Sequence, residues 1–462
     1  MSGPPHRLPV EIISEIVEYT TTVDPTGERS GLKELRCLRL VSKYFNYLAS
    51  PLLFSTLRLE FMHESEDGVP HYFRCQEIVM ALATRSTNVF CRTKKLYLDT
   101  EFIPDLSAHA QTLILDNIFD AICALENLRT IDWPANSRCD LEEITIDVIH
   151  ALSKLPSFQG FEYLRFHIQS LPYLSLKPLS NLTIFRTHWD WKLPARLLPE
   201  IASLLSRCPE LTELSLGGNF IHQNLDLHEV FSEICKLENP WELKKLELRC
   251  VAVTPDDFSA CIHHFKHLTS LGIYGTPRTF GGICDILQKN KITLKDVSTD
   301  HPDDPLFFHY LSSYSGLTSL ELKIPVRDRY QWVTPYPTFL NELYMRVVRN
   351  HAETLEHLKL EWIGLPTKEE LAELLKCQRL TILQVSIDVG CEALQQALSE
   401  GDASVLESWF EAGLQLSNLT HLFLCKMGRY TKANHSIFCQ TLRVVEMRYR
   451  KERGMKFIVK DK

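Results

Sequence analysis

Few residues in this chain are placed to do chemistry. The segment Cys261-Ile-His263-His264-Phe-Lys-His267 sets His263 and His267 four residues apart. A helix would bring both rings to one face with the Cys261 thiol nearby, and these are the donor types of a zinc site. The segment lies on an amphipathic stretch that runs into a strand-like one, which favours a repeat helix with solvated histidines. Asp300-His-Pro-Asp303-Asp304-Pro groups carboxylates between prolines and reads as an acidic loop. The sequence has no phosphate-cradling G-x-x-x-x-G-K-[ST], no G-x-S-x-G nucleophile turn, no H-E-x-x-H and no G-x-G-x-x-G. The expectation is a non-enzymatic protein with no cofactor and no metal, which turns attention to surfaces and the elements that carry them.

The totals restrict what those elements can be. The chain has 462 residues, 45% hydrophobic and 23% charged, an ordinary globular composition. It is too long for one compact core, since cores stop growing near roughly 250–300 residues, so it holds several domains or an elongated repeat. A net charge of −8 argues against a general nucleic-acid binder. The start, MSGPPHRLPVE, has no apolar signal core, and no run approaches the roughly 18 apolar residues of a membrane span. The expectation is an intracellular protein of the cytoplasm and/or nucleus. Its 14 cysteines then face a reducing compartment, and none stand at C-x-x-C spacing, so no zinc or redox pair is expected.

The first sixty residues predict three short helices. Pro9 suits a helix start, where its missing N–H costs nothing, and Ile12, Ile13, Ile16 and Val17 recur at helical spacing. Asp24-Pro-Thr-Gly27 closes that helix in a loop. A second helix runs from about Leu32, with Leu35 and Leu38 one turn apart. Ser42 is the N-cap of a third, which presents Phe45 and Leu48 before Pro51 stops it. Three helices of this length cannot bury so many apolar residues alone, and such a patch on a small helical unit reads as a docking surface; a helical cap on the following domain is the other reading.

The segments LPVEIISEIVEY and LRCLRLVSKYFNYLASPLLFSTLRL resemble the F-box over about residues 6–59, in the form common in fungal proteins. That resemblance implies binding of a Skp-type adaptor and, through it, of a cullin–RING ubiquitin ligase. By motif position the adaptor-facing residues would be Leu8, Pro9, Ile12, Ile16, Leu40, Val41 and Phe45. Phe45 stands where a Trp is frequent, and the Asp24–Ser30 loop is longer than in compact members. Phe54, Leu57 and Leu59 belong to the junction with the next domain.

Past residue 90 the spacing apolar-x-x-apolar-x-apolar recurs. Clear copies are LTELSLGGN (211–219), LKKLELRCV (243–251), LTSLGIYGT (268–276), LTSLELKIP (317–325), LEHLKLEWI (355–363), LTILQVSID (380–388) and LTHLFLCKM (419–427). Weaker copies begin near Thr93, Leu128, Phe161, Leu182, Leu294 and Leu442. The mean period of about 29 residues lies at the long end of the leucine-rich-repeat range. Helical segments such as LPEIASLLSRCPE and FSACIHHFKH lie between copies, and stacking such units buries a core that none could bury alone. The copies resemble irregular leucine-rich repeats, with the closing Asn present once, at Asn219, which implies looser turns.

The fold expected is therefore α/β: an N-terminal three-helix F-box followed by an irregular leucine-rich-repeat solenoid, or horseshoe. The boundaries are 1–60 for the F-box, 61–90 for a helical linker or cap, 91–447 for the solenoid and 448–462 for a basic tail, read as a frayed end.

In such a repeat the residues between the leucines face a concave surface. It would carry Glu213, Ser215, Lys245, Glu247, Arg249, Ser270, Gly272, Tyr274, Glu321 and Lys323, then His357, Lys359, Glu361, His421 and Phe423. Their mixed signs do not favour a uniformly phosphorylated or nucleic-acid ligand. Two repeats are stretched, and the first holds PVRDRYQWVTPYP. Its Arg327, Arg329, Tyr330, Trp332 and Tyr336 are of the types enriched in binding hot spots. With His357, Lys359 and Glu361 they are the candidates for binding a protein target, although Trp332 and Tyr336 could equally pack on the next helix. The HWDWK segment at 188–192 raises the same question.

The functional expectation is a non-catalytic substrate receptor of an SCF-type ligase; the alternative is a repeat scaffold whose F-box serves assembly without ubiquitin transfer.

Overall fold

A computed structural model describes residues 32–61, 71–135, 142–166, 175–189, 197–218, 225–237, 239–275, 280–301, 304–323, 337–363, 367–388, 404–427 and 456–461. The chain divides into two compact units, Met1–Leu211 and Thr212–Lys462. Both alternate strands and helices, and both lay successive main strands side by side in parallel.

The described part of the first unit begins with helices Leu32–Val41 and Lys43–Leu53. Ser42 caps the second, its side chain accepting the backbone N–H of Phe45 at 3.2 Å. Buried Leu35 and Ala49 form the centre of the pair, with Leu38, Phe45, Leu52 and Leu53 packed around them. Pro51 lies inside the second helix instead of ending it. So close to the C-terminal end a proline removes one hydrogen bond without breaking a long run, and the helix closes when Phe54 donates its N–H to Ser50. Expected residues Leu8, Pro9, Ile12 and Ile16 lie outside the described residues.

Among the described residues of this unit five strands follow: β1 (Thr56–Glu60), β2 (Lys95–Asp99), β3 (Thr130–Ala135), β4 (Gly160–Phe166) and β5 (Ile184–Trp189). They pair in sequence order and in parallel, beginning with Thr56 opposite Lys95. The sheet thus starts at Thr56, inside the segment read as F-box, and helix His71–Ala83 occupies the expected linker. A core row runs across it through Leu96, Ile131, Phe161 and Phe185, all fully buried. β4 begins at Gly160, so its repeat starts at Phe158 and not near Phe161. The apolar residues Phe158, Phe161 and Leu164 are evenly three apart because register shifts between Phe161 and Leu164, and such a bulge adds a residue to the motif. Gly160 has φ +146, and a Cβ there would lie 1.8 Å from the Ile184 carbonyl oxygen, a position only glycine can occupy.

The second unit contains β6 (Glu213–Gly218), β7 (Leu225–Asp226), β8 (Lys245–Arg249), β9 (Val251–Ala252), β10 (Ser270–Tyr274), β11 (Asp296–Thr299), β12 (Ser319–Leu322), β13 (His357–Ile363), β14 (Ile382–Asp388), β15 (His421–Met427) and β16 (Lys456–Asp461). β7 and β9 pair apart from the rest, and the others pair in order, all in parallel. Each clear copy of the repeat places a strand two residues after its first apolar residue. β16 pairs with β15 from Lys456 opposite His421, so the segment read as a frayed tail contains a strand.

The register aligns the apolar positions into two rows. One runs Leu214, Leu246, Leu271, Val297, Leu320, Leu358, Leu383, Leu422; its members are all buried. Successive repeats are also joined just before the strands. The Thr212, Lys244, Thr269, Lys295, Thr318, Glu356 and Thr381 carbonyls each accept two backbone N–H groups from the next repeat. Thr269, Thr318, Thr381 and Thr420 add their hydroxyls to the carbonyl of the preceding repeat at 2.9–3.2 Å. That is the physical use of the Leu-Thr dipeptide in these copies. Behind the strands the helices supply aromatic packing, such as Phe231 and Phe258 against Phe265.

Candidate interaction surface

Alternate strand residues are buried and their neighbours half-exposed, so each sheet has one face in the core and one open face. In the second unit the open face carries Glu213, Lys245, Glu247, Arg249, Ser270, Tyr274, Glu321, Lys323, His357, Lys359 and Glu361.

Its centre is Tyr274. The Arg249 guanidinium lies 4.7 Å and the Lys323 ammonium 4.6 Å from the ring centroid, both within cation–π range. Each cation also pairs with a carboxylate two residues before it, Arg249 with Glu247 and Lys323 with Glu321 at 3.4 Å. The Tyr274 hydroxyl donates to Ser298 Oγ at 2.5 Å, and Ser298 donates on to Glu321 Oε2 at 2.9 Å. Burial pushes the Tyr274 phenol well above its ordinary range, and Glu321 and Glu247 add to the shift. Burial would also raise Glu321, yet Lys323, Lys359 and the Ser298 hydroxyl outweigh it and hold this carboxyl low. The result is a charged, internally neutralised platform spanning four strands, suited to orienting a polar protein partner.

The turn beside this platform has its own polar support. Asp300 is buried and accepts the Gly275 backbone N–H through both carboxylate oxygens, at 2.9 and 3.0 Å. His301, also buried, approaches Asp300 at 3.1 Å. The segment read as a plain acidic loop therefore does for this turn what the expected repeat asparagine would do. Asp304 has a separate job as N-cap of helix Pro305–Ser312. Asn219 lies outside the described residues. Cys250 sits near Asp300, and burial pushes its thiol up to about 11, so it is a thiol at neutral pH and not an activated nucleophile.

The Cys261–His267 segment forms no helical metal face. His264 is the buried member, its Nδ1 accepting the Trp241 backbone N–H at 3.0 Å, and His267 is exposed. The helix is short, Pro255–Ala260 with a tighter turn over Ile262–His264, which breaks the four-residue face. Among the described residues no three His, Cys, Asp or Glu side chains converge to hold a metal.

In the first unit the open face is organised around Tyr97, with Arg58 over its ring at 5.2 Å. Burial pushes Tyr97 up to about 12, helped by Asp99, Glu60 and Asp132. Lys95 pairs with Glu162, which also accepts the Thr130 hydroxyl at 2.8 Å. In the segment at 188–192, Trp189 is core, while His188 stacks on Tyr163 with centroids 6.2 Å apart.

Of the predicted target-binding residues, His357, Lys359 and Glu361 share one face of β13, with Lys359 opposite Glu321. Arg327, Arg329, Tyr330, Trp332 and Tyr336 lie outside the described residues. Of the predicted adaptor-facing residues, Leu40 is 83% exposed and Val41 67% exposed at the end of the first described helix. Tyr44 and Tyr47 are exposed on the next helix. Phe45 instead packs into the helix pair.

No protein-family model matches the chain, and no curated protein matches it. Among the described residues, no helix is long and apolar enough to cross a membrane.

Proposed function

We propose that this chain is a non-catalytic substrate receptor of an SCF-type cullin–RING ubiquitin ligase. In this reading the N-terminal helices are an F-box that holds a Skp-type adaptor, and the repeats, of the leucine-rich type, hold a protein target on their open face. The observation that carries it is the pair Leu40 and Val41, adjacent large apolar side chains left exposed at the end of the first described helix. Exposed apolar side chains gathered in one place mark interaction sites, and these two stand where the F-box resemblance places adaptor contacts. The open face supports the second half, because its charges are fixed in pairs around Tyr274 and so present a rigid pattern to a partner. Such a receptor contributes proximity: it holds the target near a ubiquitin-loaded partner and makes the transfer effectively intramolecular.

The test is co-expression of the full chain with a Skp-type adaptor and a cullin. The reading expects all three to co-elute at equal stoichiometry. Elution of the chain free of adaptor would overturn it, and adaptor binding without cullin would favour an assembly scaffold.

A further inference from the structure

Cys235 ends helix His228–Cys235, and Cys261 follows helix Pro255–Ala260, so the two cysteines belong to consecutive repeats. Their Cα atoms are 5.4 Å apart, inside the range a disulfide spans, and the sulfurs are joined. The pair is 26 residues apart, about one repeat, so it carries no C-x-x-C signature in the sequence. Cys261 is fully buried, whereas Cys235 is partly exposed. The Cys261 sulfur also lies 3.2 Å from the carbonyl oxygen of Phe231, one turn back on the helix of Cys235.

The buried sulfur thus has two partners within reach of one backbone arrangement. As a thiol it donates S–H to the Phe231 carbonyl; as half of a disulfide it bonds Cys235. We propose that Cys235 and Cys261 are a reversible redox pair that cross-links two consecutive repeats. The co-reactant is a small disulfide of the glutathione class. The Cys235 thiolate attacks one of its sulfurs, forms a mixed disulfide and expels one glutathione thiolate. The Cys261 thiolate then attacks the Cys235 sulfur and expels the second. Two cysteine thiols are oxidised, one glutathione disulfide is reduced to two thiols, and the two cysteine protons end on those thiols. The half-exposed position of Cys235 makes it the residue attacked or attacking from solvent, with Cys261 resolving from inside.

The cross-link ties together the two helices that precede β8 and β10, the strands that carry Glu247, Arg249 and Tyr274. Oxidation therefore stiffens the part of the open face where the charge pattern is densest. This inference concerns the cysteines alone and stands whether or not the chain serves a ubiquitin ligase.

The experiment is a redox titration of the full chain in mixtures of reduced and oxidised glutathione. Free thiols are blocked with N-ethylmaleimide, the protein is digested without reduction, and peptides are identified by mass. The expected result is a Cys235–Cys261 linked peptide that accumulates with oxidised glutathione and disappears with dithiothreitol. Oxidation should also raise Tm by about 5–10 °C, given the usual stabilisation by a disulfide and the usual scaling for a domain of this size. Cys235→Ser, at a partly exposed site, should keep the reduced Tm and lose the rise on oxidation. A Cys235 glutathione adduct without the link, a link that survives dithiothreitol, or the same Tm in both states would overturn the proposal.

Discussion

Asp300 receives the backbone N–H of Gly275 on both of its carboxylate oxygens, which binds one repeat turn to the next. Asp300→Ala leaves that buried N–H without an acceptor and should lower stability by about 1–3 kcal/mol in chemical denaturation. Asp300→Asn keeps an acceptor oxygen and should cost clearly less. Equal losses for the two variants would show that the carboxylate has another role.

Leu214 and Glu213 are neighbours on β6 that face opposite sides of the sheet. Leu214 is fully buried in a row of apolar residues, and Glu213 lies on the open face opposite Lys245. Leu214→Asp should unfold the second unit, because a carboxylate would be buried without a partner. Glu213→Ala should change stability by no more than about 0.5 kcal/mol. Thermal melts compare the two directly, and matching shifts would contradict the alternation.

Two buried histidines give the fold a defined pH response. His264 accepts the Trp241 N–H, and His351 accepts the Leu317 N–H at 3.2 Å while its Nε2 meets the Leu311 carbonyl at 2.9 Å. Both uses require a neutral ring. Burial, with His263 nearby, pushes His264 down to about 4, and burial also lowers His351. Below the unfolded value of 6.5 the unfolded chain takes up protons that the folded chain refuses, so stability rises with pH through this window. It should therefore fall as pH drops from 6.5 toward 4, and the His264 share of the loss should level off below 4. Denaturation series at pH 7, 6 and 5 should show the decline, and His264→Phe should make it shallower, leaving the share of His351, while costing about 1–3 kcal/mol at pH 7 through the orphaned Trp241 N–H.

Much of this arrangement was legible in the sequence because it rests on local periodicity. Leu-x-x-Leu-x-Leu sets three inward side chains on one pleated strand, and LTSL at 268 and at 317 led to strands two residues later. What escaped depends on contacts between repeats. The bulge after Phe161 adds a residue, so the three-residue spacing hid the true start at Phe158. Asp300 looked like loop acid because its partner, Gly275, is 25 residues away. A similar distance separates His264 from the residue that matters to it, Trp241. Pairing of Lys456–Asp461 with β15 had no motif to announce it. The charged platform was half visible, since Arg249, Tyr274 and Lys323 were expected on one face, but Ser298 emerged only with the register of β11.

The most direct measurement of the proposed function is the affinity of the full chain for a purified Skp-type adaptor, by calorimetry, with and without Leu40→Asp and Val41→Asp. These side chains are 83% and 67% exposed, so the double variant should keep the wild-type Tm. Replacing two large apolar side chains in a docked interface with carboxylates should weaken binding about 100-fold or more. If the folded double variant binds the adaptor as tightly as the wild type, or the wild type does not bind it at all, the adaptor-held receptor account is contradicted.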